Sequence, residues 1–181
     1  MRMKPELAHI AAFTVRGMHV RTINRDETDP KTAKLAGLWG RFFSEGIADK
    51  IPQRLPGSPI YGVYSSYESD AAGHYDLTAG VSVVLTARNS VVRTASGTVD
   101  STADGSASTR GEPAGLVAVD VPAGEYLVFS AKGSMPGIVI DTWGAIHAYF
   151  AAEQRFVRKY TTDFEAYPGP DEVAIHIAVE V

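Results

Sequence analysis

One pattern is written twice in this 181-residue chain, and that duplication limits what it can fold into more than any other feature. Phe13 and Gly17 match Phe129 and Gly133 at an offset of 116, Trp39-Gly40 matches Trp143-Gly144 at 104, and Tyr67-Glu68 matches Phe164-Glu165 at 97. The offset shrinks only across stretches that read as loops. Three matches in one order point to an internal repeat. A repeat of this size exposes an apolar face unless it packs against its twin, so two facing halves with a cleft between them are expected.

The pattern inside each repeat is β-α-β-β. Residues 9–17 are β-formers closed by Gly17, and 18–29 are polar and irregular. Asp29-Pro30 is a good helix start, and Leu35, Leu38, Trp39, Phe42 and Phe43 make one apolar stripe, which predicts a helix over 30–44. The prolines between 51 and 59 force a loop. Strands follow over 60–68 and 75–86; the period of two puts Tyr64 and Glu68 on one face. In the second repeat, a strand over 116–133 is interrupted by a turn or bulge at Pro122–Gly124, because proline gives no ladder donor. A helix opens at Pro136 and ends near Gln154, and strands over 159–167 and 172–181 flank the turn at Pro168–Asp171. The fold class is therefore α+β: a tandem duplication giving antiparallel sheet, two main helices and a central cleft. It is read as a single domain over 1–181, with halves at 8–86 and 116–181. Between them, 87–115 is rich in Ser, Thr, Ala and Gly and reads as an inserted loop or protruding hairpin.

Composition narrows the function. A net charge of −4 gives no basic footprint, so direct nucleic-acid binding is not expected. The absence of cysteine excludes disulfides, thiol nucleophiles and cysteine-ligated zinc. No apolar run is long enough to span a bilayer and no leader-like start is present, so no membrane association is expected and the location is read as cytoplasmic. The histidines at 9, 19, 74, 147 and 176 lack ligand spacing, and no Gly-rich phosphate loop or nucleophile elbow occurs. No metal or cofactor is expected.

The candidate chemistry sits among aromatics. Glu165 lies between Phe164 and Tyr167 on a strand. It is either a solvated carboxylate, a partner of Arg155, Arg158 or Lys159, or a buried charge best offset by a cation that arrives with a ligand. Glu68 is its repeat mate and is equally readable as a solvent-facing turn residue. Trp39 and Trp143 are either core or two flat walls, one from each half. Tyr64, Tyr126 and Tyr149 could line a pocket with their ring faces.

The ordered set Tyr61-Gly62-Val63-Tyr64, Tyr67-Glu68-Ser69-Asp70 with Gly73 and Tyr75-Asp76, Val121 to Phe129 with Gly133, Trp143, and Phe164-Glu165-Ala166-Tyr167 resembles the bacterial effector-binding domain of the GyrI-like, AraC-type superfamily. The resemblance covers the chain except 86–115. It implies tandem β-α-β-β units around a small-molecule pocket, with aromatics around a buried glutamate that falls on Glu165. It also implies a stand-alone member, because the few residues before the first strand leave no room for a DNA-reading region. The expected function is binding of an amphipathic, cationic or aromatic small molecule, linked to transcription regulation or drug sensing. Glu165, Trp143, Trp39, Tyr64, Tyr126 and Glu68 are the expected ligand residues. The alternatives are a hydrolase of reactive small molecules with Glu165 as general base, and a module that meets a protein partner, a regulator or gyrase, in trans.

Overall fold

The computed structural model describes residues 3–84, 113–152 and 155–181. The expected insertion at 87–115 lies, apart from its last positions, outside the described residues. The strands are β1 (Glu6–Ile10), β2 (Phe13–Thr22), β3 (Ile60–Ser65), β4 (Tyr75–Val83), β5 (Val117–Val121), β6 (Gly124–Lys132), β7 (Val157–Arg158), β8 (Asp163–Gly169) and β9 (Glu172–Glu180). The helices are α1 (Asn24–Glu27), α2 (Leu35–Ser44), α3 (Ile47–Lys50) and α4 (Gly137–Ala152). The fold is α+β, with all strand pairs antiparallel and the order β1-β6-β9-β8-β3-β4-β2-β5; β7 pairs with the far end of β9.

The order is a palindrome. A shift of 103 residues carries β3 onto β8 and one of 111 carries both β1 onto β5 and β2 onto β6; the ladder registers then carry β4 onto β9 by 96. Each repeat therefore begins with a strand that pairs with the other repeat: β1 lies against β6, and β5 lies against β2. Both pairings share one register, Glu6 opposite Val128 and Gly17 opposite Val117, on either side of kinks at 11–12 and 122–123. The pseudo-two-fold axis passes between β3 and β8, where Gly62 is both the cross-strand partner and the repeat equivalent of Glu165.

The period of two divides the side chains. On one face, α2 covers Leu77, Ala79 and Val81, and α4 covers Phe129, Ile175 and Ile177. On the other face, Val15, Val63, Val121, Tyr126 and Phe164 form a third cluster, tightened by edge-on contacts of Phe164 with Phe13 and Tyr126. Burying such aliphatic side chains stabilises by about 1.5–3 kcal/mol each before conformational entropy is counted.

Several boundaries differ from the sequence reading. The 9–17 strand is two strands, β1 and β2, and β2 continues to Thr22 through a stretch whose polarity suits its partly exposed edge. Asp29 caps a turn rather than a helix, its carboxylate accepting the Lys31 N–H at 2.9 Å. The start of α2 is capped instead by Glu27, whose carboxylate accepts the backbone N–H groups of Lys34 and Leu35 at 3.1 Å. The strand expected over 60–68 stops at Ser65, because Ser66 turns the chain at φ 52°. That turn takes Glu68 off the face of Tyr64.

Candidate ligand-binding site

Glu165 is placed at the sheet centre by its own strand pattern. Along β8, Asp163, Glu165 and Tyr167 face the helices, while Phe164 faces the third cluster. Glu165 is only 1% exposed. Its Oε1 accepts the Tyr64 hydroxyl at 2.8 Å and the Trp143 indole N–H at 2.7 Å; its Oε2 accepts the Tyr167 hydroxyl at 2.6 Å. Tyr64 and Tyr167 are repeat equivalents, two residues along β3 and β8 from Gly62 and Glu165. Trp39 stands on the other side, edge-on to Tyr167 with ring centroids 5.5 Å apart. A side chain at Gly62 would end this arrangement: a Cβ there would lie 2.8 Å from Glu165 Oε2 and 3.0 Å from Trp39 Cζ2.

All three donors to Glu165 are neutral, and no cation forms an ion pair with it among the described residues. Burial pushes its carboxyl pKa up, and the three hydrogen bonds only partly oppose this. The same burial and the neighbouring carboxylate raise Tyr64 and Tyr167. Phenols and an indole that donate to a carboxylate become more electron-rich on their faces, which favours cations on the far side of those rings.

The far side is a cleft of about 170 Å³ between the halves. Tyr64 and Trp143 form its inner wall, Tyr75 and Leu35 line the first half's side, and His147 and Arg158 the second's. Arg158 is held by Asp163, with Nη2 to Oδ2 at 2.6 Å and Nε to Oδ2 at 3.2 Å. Asp163 is fully buried and also accepts the Tyr67 hydroxyl at 2.8 Å and the Ala178 backbone N–H at 2.9 Å. The second bond fills the gap in the ladder where the chain loops out between β7 and β8.

A family model, that of the GyrI-like small molecule binding domain, matches residues 3–179. The chain belongs to the GyrI-like family. Its GyrI-like fold is similar to the crystal structure of an integron cassette protein from the mobile metagenome of Vibrio cholerae, with 35% identity, 97% of this chain and 95% of that one covered, and a TM-score of 0.73. It is also similar to SAV2435 solved bound to tetraphenylphosphonium, at 21% identity, 98% and 94% coverage and a TM-score of 0.69; at that identity the likeness shows the fold alone. Among curated proteins it is similar to the transcriptional regulator BrlR of Pseudomonas aeruginosa, 26% identical over 161 residues. Those residues are 89% of this chain but 52% of the relative, so the chain spans about half the length of the curated relative it matches.

Of the residues singled out in the sequence, this GyrI-like fold brings Glu165, Trp143, Trp39 and Tyr64 together. It does not bring Tyr126 there: Tyr126 belongs to the third cluster, on the opposite face of the sheet, and its hydroxyl donates to the Pro122 carbonyl at 2.9 Å. Nor does it bring Glu68, which is exposed beyond the end of β3 and bonded to His74 Nδ1 at 2.9 Å. Tyr149 packs on Phe129 within the α4 cluster, away from the cleft. Arg158, offered as a partner for Glu165, pairs with Asp163 instead. Gly62 and Tyr67 were not singled out for the site. Gly62 could have been found by asking which residue the repeat sets opposite Glu165.

Proposed function

We propose that this chain binds small amphipathic cations, as an effector-binding protein of the kind that senses drugs or feeds transcriptional regulation. The observation that carries this reading is Glu165: a buried carboxylate with three neutral donors and, among the described residues, no cation paired with it. A buried charge without a counter-charge is costly, and a ligand cation in the adjoining cleft would offset that cost across the Tyr64 ring. The tetraphenylphosphonium bound to SAV2435 and the likeness to the transcriptional regulator BrlR support the same direction for this chain. Ligand sites commonly occupy roughly 300–1,000 Å³, more than this cleft offers. Bulkier cations therefore require the cleft to widen. A fixed anion fits this geometry better than a general base, because both carboxylate oxygens are already engaged by donors.

The test is a fluorescence titration with tetraphenylphosphonium, reading tryptophan quenching. Glu165→Gln is expected to weaken binding by about tenfold or more, since a charged partner in a buried site is typically worth 1.5–3 kcal/mol. Glu68→Gln should leave it unchanged. Equal effects of the two substitutions would sink the proposal.

A further inference from the structure

The cleft holds a cation of its own, and its position points to the class of ligand. The Arg158 guanidinium lies over the rings of Tyr160, Trp143 and Tyr67 at 4.5, 5.6 and 5.8 Å, and its side chain is 7% exposed. Its carboxylate partner, Asp163, is wholly buried while Arg158 lines the cleft, so the positive end of the pair is the end a ligand meets. One face of Trp143 is thus already occupied by a cation, which leaves Tyr64 and Tyr75 as the rings available to a ligand's charge. The other charge-bearing groups on the cleft wall are Glu27 and His147. The Glu27 carboxylate is engaged by the start of α2 and by the Thr22 hydroxyl. His147 is held below its ordinary pKa by burial and by Arg158 itself.

Resting on the cation-binding function proposed above, we infer that Arg158 is a specificity-determining residue that selects ligands carrying a single positive charge and, at the other end, a carboxylate or carbonyl group. A second positive charge at that end meets the guanidinium and is rejected. An electron-rich group there gains a charge-assisted hydrogen bond. The preferred class is therefore zwitterions and acceptor-bearing monocations rather than dications.

Three probes of one scaffold test this: 1-methyl-4-phenylpyridinium, its analogue with a para-carboxylate on the phenyl ring, and the dication 1,1′-dimethyl-4,4′-bipyridinium. Calorimetric titration of the unaltered protein should rank them zwitterion, monocation, dication, with steps of about fivefold or more. Equal affinity for the three overturns the inference while leaving the proposed function standing; no binding of the monocation overturns both. The paired substitution Arg158→Gln with Asp163→Asn removes both charges without stranding a buried one. It should bring the three affinities to within about twofold of one another. An unchanged ranking in that variant overturns the assignment to Arg158, and the ranking in the unaltered protein stands as a test whether or not the variant folds.

Discussion

Gly62 and Glu165 face each other across the β3–β8 ladder, at equivalent positions of the two repeats. One repeat supplies the carboxylate and the other the space it occupies. The remaining pairs around them are conserved in type between the halves: Tyr64 with Tyr167, and Trp39 with Trp143. The cradle is nearly symmetric; the charge inside it is not.

Gly62→Ala should therefore damage the site from the opposite strand. The added methyl would press on Glu165 Oε2 at 2.8 Å and on the Trp39 ring at 3.0 Å. Overpacking of this kind destabilises by about 1–3 kcal/mol. Denaturant unfolding should show that loss, and titration with tetraphenylphosphonium should show weaker binding. Unaltered stability and affinity would mean that the carboxylate relaxes freely.

The buried charge should make Glu165 a liability for the empty protein. Its folded-state pKa is raised above the ordinary 4.5, so folding favours the protonated form. The stability this group contributes is fully present below pH 4.5 and is lost as pH rises through the folded value. Glu165→Gln keeps the hydrogen-bonding shape and drops the charge. It should raise Tm at pH 7 by about 2 °C or more, with the gap closing toward pH 4. Thermal unfolding of both proteins across that range checks the sign.

Removing Arg158 alone should be severe. Arg158→Ala leaves Asp163 wholly buried with, among the described residues, only the Tyr67 hydroxyl and the Ala178 N–H as partners. Breaking one side of a buried pair costs about 3–5 kcal/mol. The double change of Arg158→Gln with Asp163→Asn should recover most of that loss in urea unfolding.

His176 should report on acid stability. It stacks on Phe164 with centroids 4.1 Å apart and an interplanar angle of 11°, and burial lowers its pKa to about 4. Its contribution is fully present above the ordinary value of 6.5 and is lost as pH falls toward 4. His176→Gln should reduce the slope of stability against pH across that interval, whatever it costs in packing.

The sequence carried the class of fold and the fact of duplication, because the apolar stripes of α2 and α4 and the alternation in β9 are local signals. The Trp39-Gly40 and Trp143-Gly144 match at 104 agrees with the strand shift of 103 between β3 and β8. The other two offsets mislead. Pairing Tyr67-Glu68 with Phe164-Glu165 fails because the chain leaves β3 at Ser66, a backbone event that the serine side chain does not announce. Pairing Phe13 with Phe129 fails because the true equivalent of Phe13 is Gly124, at the start of β6 rather than in its middle. Tyr126 is on the wrong side of the sheet for a reason of parity: on β6, Leu127 and Phe129 face α4, so Tyr126 faces away. The Arg158–Asp163 pair was illegible because it depends on how the chain loops between β7 and β8, where no period of two holds.

The exchange of β1 and β5 between the halves has a consequence for how such a site can exist at all. Two separate, identical chains related by a true two-fold would put the same residue on both sides of the axis. The centre would then hold two opposed carboxylates, which repel, or two glycines, which attract nothing. Covalent linkage of the repeats frees the two central positions to differ. With each half's first strand laced into the other, neither can drift apart to undo the asymmetry. A single negative charge on a near-symmetry axis is something two identical chains cannot hold.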